Sequence, residues 1–257
     1  MVMSTEMKIG VRHPIVFQVM VFIAAIILAL VFSVVARMVC SAGAVDNNIH
    51  TAVGRLLAGG LLFLVFIRCF NLTKQLSGFV VMLPALLFAV WNIILHVATG
   101  GGHAENNTYA FILGLAPAVF EEVLCRGIFI HNLKANGRRP MSVLLISAFF
   151  FGIVHMTNLG GGQHIINVMI QTGYAVVVGL VFGAIYIKTD DLISVIIAHA
   201  VIDISSKMLP NGEIAVLPGC VGLMVVLAVE TWYAFWLMSR APAVPESAEC
   251  DGHTSSP

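Results

Sequence analysis

Long apolar stretches separated by short polar segments are the main feature of this sequence. A membrane-spanning helix needs about 20 mostly apolar residues. Eight stretches approach that length, at 14–36, 51–70, 79–98, 109–130, 141–156, 165–187, 192–209 and 214–238. The pattern therefore predicts an all-α polytopic membrane protein with about eight transmembrane helices. The second, fifth and seventh stretches are the weakest of the eight.

The polar ends of the chain lie outside this helical block. We expect 1–13 to be a cytoplasmic N-terminal segment and 14–240 to be a single transmembrane helical domain. We expect 241–257 to be a disordered tail, because it is rich in Pro, Ser and acidic residues. With eight spans, nine loop Lys and Arg residues fall on the side of the termini and three on the other side. The positive-inside rule then predicts a multi-pass protein of the cell membrane with both termini in the cytoplasm.

Composition excludes several classes of protein. The chain is 59% hydrophobic and only 10% charged, which rules out a water-soluble enzyme and a disordered chain. Its 13 Lys and Arg residues equal its 13 Asp and Glu residues, so no basic surface is available for a nucleic acid. The five cysteines are scattered and indicate neither a disulfide framework nor a thiolate zinc site.

The fourth apolar stretch contains three ionisable residues, Glu121, Glu122 and Arg126. Each charge at the bilayer centre costs roughly 2.5–3.5 kcal/mol, so this helix must face a bundle interior or a water-filled cavity. Glu122 and Arg126 are four residues apart, in the favourable order for an ion pair, whereas Glu121 is turned about 100° away from Glu122. Glu121 is therefore the candidate general base. A purely structural cluster of all three charges is the alternative.

Two histidines come from other stretches. Phe151 and His155 share a helix face four residues apart, and so do His199 and Asp203. Asp203 can accept a hydrogen bond from His199 and fix its tautomer. Because Glu121, His155 and His199 lie near mid-span on three helices, we expect them to converge on one cavity. These residues suit either a metal-free hydrolytic site or a zinc site held by Glu121, His155 and His199.

Taken in order, the three motifs resemble the CAAX-protease and bacteriocin-processing family, also called Abi or type II CAAX prenyl endopeptidases. The family pattern is E-E-x-x-x-R, then F-x-x-x-H, then H-x-x-x-N or H-x-x-x-D. This chain matches it with Glu121-Glu122 and Arg126, with Phe151 and His155, and with His199 and Asp203. The resemblance covers a core at about 108–209.

The resemblance implies eight transmembrane helices around an intramembrane catalytic cavity, and an endopeptidase of the glutamate type without a cofactor. Glu121 and His155 would activate a water, and His199 and Asp203 would stabilise the oxyanion. Four further residues would support the site, namely Glu122, Arg126, Phe151 and Asn158. The implied substrates are membrane-embedded or prenylated peptides or proteins, reached from the lipid bilayer.

Asp203 departs from the Asn that often ends the third motif. An amide can donate to an oxyanion, whereas an ionised carboxylate only accepts hydrogen bonds. Asp203 must therefore stay protonated or act through His199.

Two other functions remain open from the sequence. One is a non-catalytic membrane scaffold or bacteriocin-immunity protein on the same fold, and the less favoured one is a proton-coupled transporter.

Overall fold

The computed structural model describes residues 13–39, 47–67, 76, 78–98, 107–207 and 216–240. Apart from His13, the predicted N-terminal segment 1–13 lies outside these residues, and so does the predicted disordered tail 241–257. Four of the cations behind the predicted orientation also lie outside them, namely Lys8, Arg12, Arg68 and Lys74. The cytoplasmic placement of both termini therefore stays a prediction.

Helices account for the fold, and the described ranges contain no strand. Eight helices follow in chain order: α1 (Pro14–Val39), α2 (Asn47–Val65), α3 (Phe79–Ala98), α4 (Asn107–Glu122, continued by Val123–Ile130 and His131–Ala135), α5 (Pro140–Val154, continued by His155–Gly161), α6 (Ile165–Thr189), α7 (Leu192–Lys207) and α8 (Val216–Ser239). The predicted all-α class is confirmed.

Seven of the eight described helices are long and apolar enough to cross a membrane, close to the eight predicted. The exception is α7, which has 16 residues. At 1.5 Å per residue the described part of α7 measures roughly 24 Å, and the residues after Lys207 lie outside the described ranges. It packs along α4, with its central residues buried. The multi-pass membrane architecture follows from these helices.

Helix α4 is the most buried of the spanning helices, and it is not the regular helix that the hydrophobic pattern predicts. Its Val123–Ile130 segment is π-helical, directly after Glu122. Short π-helical insertions tend to occur at functional sites. Side chains from other helices bond carbonyls of this segment: Ser147 Oγ donates to Cys125 O at 2.9 Å, and Gln18 Nε2 donates to Phe129 O at 3.0 Å.

Helices α2 and α4 run parallel and in register. Near their starts, Asn48 Nδ2 donates to the Tyr109 hydroxyl at 3.3 Å. Eleven residues further along both helices, Gly59 lies against Phe120, so closely that a Cβ on Gly59 would come within 2.9 Å of the Phe120 Cα. This glycine lets the two backbones approach. The register sets which α2 residues lie level with the carboxylates of α4.

Asp191 fixes the start of α7 against the turn before α3. Its Oδ1 accepts from the Ser194 N–H at 3.0 Å, and its Oδ2 accepts from Ser194 Oγ at 2.7 Å and from the Gly78 N–H at 2.8 Å. Burial acts to raise the pKa of this carboxyl, but the hydrogen bonds outweigh burial and hold the pKa below its usual range. Asp191 is thus an N-cap that also joins two distant parts of the chain.

Candidate active site

A cavity of about 620 Å³ lies among the helices and brings together residues from distant parts of the sequence. Helix α1 contributes an apolar wall that includes Ile26 and Leu30. The other helices contribute polar side chains, among them Arg55, Glu121, His155, Asn158, Asp203 and Lys207. Three of the four residues predicted to be catalytic therefore face one space, as convergence on a cavity requires.

Glu121 reaches this cavity from α4. Its side chain is only 2% exposed. Within the described part of the chain, its Oε2 has no hydrogen-bond partner. A buried carboxylate oxygen without a partner is costly, because its water is lost without replacement. The arrangement leaves Glu121 able to accept a proton or a hydrogen bond from a molecule in the cavity.

Glu122 points the other way, into the packed core between α4 and α7. Its Oε1 lies 2.8 Å from His199 Nδ1, and its Oε2 lies 3.1 Å from Arg126 Nε. Both carboxylate oxygens of Glu122 thus face a basic group. The contact with Arg126 meets the distance of an ion pair but not the alignment of a hydrogen bond. The ion pair expected from the spacing is present, whereas the histidine contact was not expected.

Arg126 is fully buried and touches three different groups besides Glu122. Its Nη2 donates to the Gly179 carbonyl of α6 at 3.2 Å. Its guanidinium carbon lies 4.1 Å from the centre of the Phe151 ring and 5.6 Å from that of Phe182. A planar guanidinium can stack on rings and donate in several directions at once, which an ammonium cannot do. Arg126 therefore joins α4, α5 and α6 around the site.

His199 lies between two carboxyl groups. Its Nδ1 faces Glu122, and its Nε2 lies 3.6 Å from Asp203 Oδ2. A neutral imidazole donates from only one nitrogen. If Nδ1 donates to Glu122, the Nε2–Asp203 contact is favourable only when a proton lies on Nε2 or on the Asp203 carboxyl. The predicted pairing of His199 with Asp203 is thus present at longer range, and Glu122 makes the shorter contact.

His155 begins the 3₁₀-helical turn that ends α5. Its ring lies 5.6 Å from the Phe151 ring, which lies 5.4 Å from the His199 ring. Phe151 therefore separates and orients the two imidazoles. Asn158 follows on the same turn, lines the cavity and donates from Nδ2 to Gln171 Oε1 at 2.9 Å. Asn158 is thus near the site but held by α6.

Arg55 is a cavity residue that the sequence placed wrongly. The hydrophobic pattern begins the second span at residue 51, which puts Arg55 near its end and among the loop cations. In the structure α2 begins at Asn47, so its polar first turn is helical too. Arg55 is therefore the ninth residue of the helix. The missed signal was the polar first turn, which places Arg55 more than two turns inside the helix.

The three residues of the zinc alternative are not grouped around one point in this structure. That alternative requires Glu121, His155 and His199 to approach one ion together. Among the described residues, no three His, Cys, Asp or Glu side chains are grouped closely enough to hold a metal ion. In addition, both ring nitrogens of His199 face carboxyl groups.

Comparison with known proteins gives one match. Residues 103–205 match the family model described as "Type II CAAX prenyl endopeptidase Rce1-like". That segment contains all three motifs. No curated protein and no solved structure matches the chain. The resemblance inferred from the motifs is confirmed: residues 103–205, which hold all three motifs, are similar to the Rce1-like type II CAAX prenyl endopeptidases.

Proposed function

We propose that this protein hydrolyses a peptide bond of a membrane-associated or lipidated substrate with a water activated by Glu121 and His155, without a metal ion. One observation carries the proposal. Glu121, whose buried Oε2 has no hydrogen-bond partner among the described residues, and His155 line the same cavity inside a bundle of membrane helices. A positioned base and a space for water and substrate are the requirements for hydrolysis by general base catalysis.

In the first step, a water lies between Glu121 and His155. Glu121 removes one proton from this water while the oxygen forms a bond to the scissile carbonyl carbon. The carbonyl π electrons move to its oxygen and produce a tetrahedral oxyanion. The proton held by Glu121 then passes to the leaving amine as the C–N bond breaks. Atoms and charge balance, and the enzyme is regenerated.

The oxyanion needs hydrogen-bond donors, and the pair of His199 and Asp203 supplies them. Asp203 lines the cavity, so a proton on its carboxyl can be donated to the oxyanion, whereas His199, which is not among the lining residues, acts through its contact with Asp203. Donors placed in advance at a developing oxyanion are typically worth a factor of about 10²–10³ in kcat. Glu122 and Arg126 hold His199 in place from behind.

The shape of the cavity supports a lipidated substrate. Helix α1 lines the cavity mainly with apolar side chains, and the other helices add most of its polar side chains. A prenyl group could contact the apolar wall while the peptide lies along the polar side chains. A C-a-a-X chain end with its prenylated cysteine has this two-sided chemistry.

The experiment compares protein termini in membranes from cells carrying the wild type or Glu121→Gln at matched expression. We expect new termini with the wild type only. General base catalysis contributes a factor of about 10²–10⁴, so residual cleavage by the variant should be slight. Glu230→Gln is the matched control, because Glu230 is an equally buried carboxyl on α8 that does not line the cavity.

Cleavage that persists in Glu121→Gln would overturn the assignment of the base. Identical termini in all three strains, with the proteins folded, would favour a scaffold or immunity protein on this fold. Metal analysis of the purified enzyme tests the metal-free part separately. Stoichiometric zinc whose removal abolishes cleavage, and whose return restores it, would contradict that part.

A further inference from the structure

Arg55 is a half-buried cation in the middle of a membrane helix, and it has no part in the proposed cleavage steps. It lines the same cavity as Glu121 and His155, and its charge acts on both. Among the described residues it makes no ion pair within 4.0 Å and no hydrogen bond. A guanidinium at this depth costs several kcal/mol unless water or an anion reaches it. Its place on the cavity wall therefore leaves its guanidinium available to an anionic ligand.

The register of α2 and α4 gives the depth of Arg55. Gly59 lies level with Phe120, and Arg55 precedes Gly59 by four residues. Arg55 therefore lies level with Ala116, five residues before Glu121. At 1.5 Å per residue this is a separation of roughly 7–8 Å along the helix axis. This is a separation of backbone levels; no ion pair within 4.0 Å joins the two side chains, and Arg55 acts on Glu121 through its charge.

An extended peptide spans about 3.3–3.6 Å per residue. With the scissile carbonyl beside Glu121, two or three residues beyond the cleaved bond would therefore cover roughly 7–11 Å and end at Arg55. A C-a-a-X substrate carries three residues after its cysteine and ends in a free carboxylate. The planar guanidinium matches a carboxylate with two parallel hydrogen bonds.

Lys207 also lines the cavity and carries a positive charge. It lies at the end of α7, is exposed, and its charge acts on Asp203. A flexible, well-hydrated ammonium beside a carboxyl group is a weaker anchor than a half-buried guanidinium. Arg55 is thus the better candidate for holding an anion at a fixed distance from Glu121.

We propose that Arg55 binds the C-terminal carboxylate of the substrate, so that the enzyme cleaves at a fixed distance from a free chain end. The proposal rests on the proposed function and names a specificity-determining residue for it. Arg55 lies before the segment that matches the family, on a helix that the three motifs do not reach.

The test uses two prenylated peptides that differ only at the C-terminus, one a free acid and one an amide. The full chain is reconstituted in lipid vesicles, and kcat/KM is measured for both peptides. We expect the wild type to prefer the acid by roughly tenfold to a hundredfold, as for a hydrogen-bonded charge. Arg55→Gln should bring the ratio of acid to amide close to one, and Arg55→Lys should give an intermediate ratio. Lys207→Gln is the matched control and should keep the wild-type ratio.

Equal cleavage of acid and amide by the wild type would overturn the proposal without using any variant. An Arg55→Gln enzyme that cleaves more slowly but keeps the wild-type ratio would also overturn it, because Arg55 would then only neutralise Glu121. Loss of the ratio in Lys207→Gln alone would move the anchor to α7 and contradict the assignment. Cleavage of neither peptide by the folded wild type would instead reject the proposed function.

Discussion

Glu121 and Glu122 are neighbours in the chain, yet their carboxyl groups reach different surroundings. Glu121 faces the cavity, whereas Glu122 contacts His199 and Arg126 in the core. The separation follows from the rotation of about 100° between successive helical residues, so it could be predicted from the sequence. The contact between Glu122 and His199 could not, because the two residues are 77 positions apart and no local spacing encodes their approach.

Substitutions of Asp203 test whether its side chain donates a hydrogen bond to the oxyanion. Asp203→Asn should keep cleavage within about threefold of the wild type, because an amide nitrogen can donate to the oxyanion without needing an added proton. Asp203→Ala should lower kcat by roughly 10²–10³, as expected when an oxyanion donor is lost. Rates on one prenylated peptide would be measured for both variants, with Val201→Ala, exposed on the same helix, as the control.

An Asn variant as inactive as the Ala variant would show that the carboxyl group itself is needed at position 203. The proton on the His199–Asp203 contact would then have a role in proton transfer beyond hydrogen bonding.

Helices α5 and α6 approach each other closely because α6 has a glycine, Gly179, at their contact. A Cβ on Gly179 would lie 3.0 Å from the Ala148 Cα and 3.2 Å from Phe151 Cδ1. Lipid provides little hydrophobic drive for helix association, so such close packing does much of the stabilisation. The same backbone position of α6 supplies the carbonyl that Arg126 bonds. One glycine thus controls both helix spacing and the support of the site.

Gly179→Ala should lower the free energy of unfolding by about 1–3 kcal/mol, since overpacking forces α5 and α6 apart. Gly173→Ala is a matched control on the same helix, because a Cβ there meets nothing within 4 Å. It should be neutral, or more stable by up to about 1 kcal/mol through its better helix propensity. Thermal unfolding of both variants in detergent checks the difference. Equal stability of the two would mean that α5 and α6 have room to adjust.

The existence and approximate length of the helices were predictable, whereas their local geometry was not. An apolar run does not distinguish hydrogen bonds to the fourth residue back from those to the fifth. The π-helical segment Val123–Ile130 and the 3₁₀ turn from His155 were therefore missed. The start of α2 was placed four residues late for a related reason, because its first turn is polar.

At the scale of the whole molecule, the cavity is formed by helices that are far apart in the sequence. The sequence predicted one cavity shared by three motifs, because three helices with polar residues at similar depth have few other ways to bury them. It did not predict that α1 and α2 form walls of that cavity. Those walls depend on packing between helices, which hydrophobic periodicity does not specify.

Asp191 yields a prediction about the stability of the whole chain. Its pKa is held below the usual range in the folded protein, so it contributes stability above its unfolded-state pKa. That contribution should be lost as the pH falls through the depressed pKa. Asp191→Asn cannot ionise, so its stability relative to the wild type should be lowest near neutral pH and should approach the wild-type value in acid.

Unfolding of the wild type and Asp191→Asn would be followed in detergent from neutral pH to about pH 3. Loss of a hydrogen-bonded N-cap carboxylate should cost roughly 1–3 kcal/mol at neutral pH. A difference that does not change with pH would contradict the ionised cap. Ser194→Ala removes one of the hydrogen bonds to Asp191 and should give a smaller loss.

The proposed roles fall into two segments of the chain, one for substrate choice and one for bond cleavage, and Gly59 contacts Phe120 where the two segments pack together. Every residue proposed for bond cleavage lies after residue 103, whereas Arg55 and the apolar wall of α1 lie before it. Grafting the later part alone would transfer the chemistry without its choice of substrate. Exchanging the first two helices should redirect that choice, provided that each replacement keeps a glycine at position 59, where the α4 backbone leaves no room for a side chain.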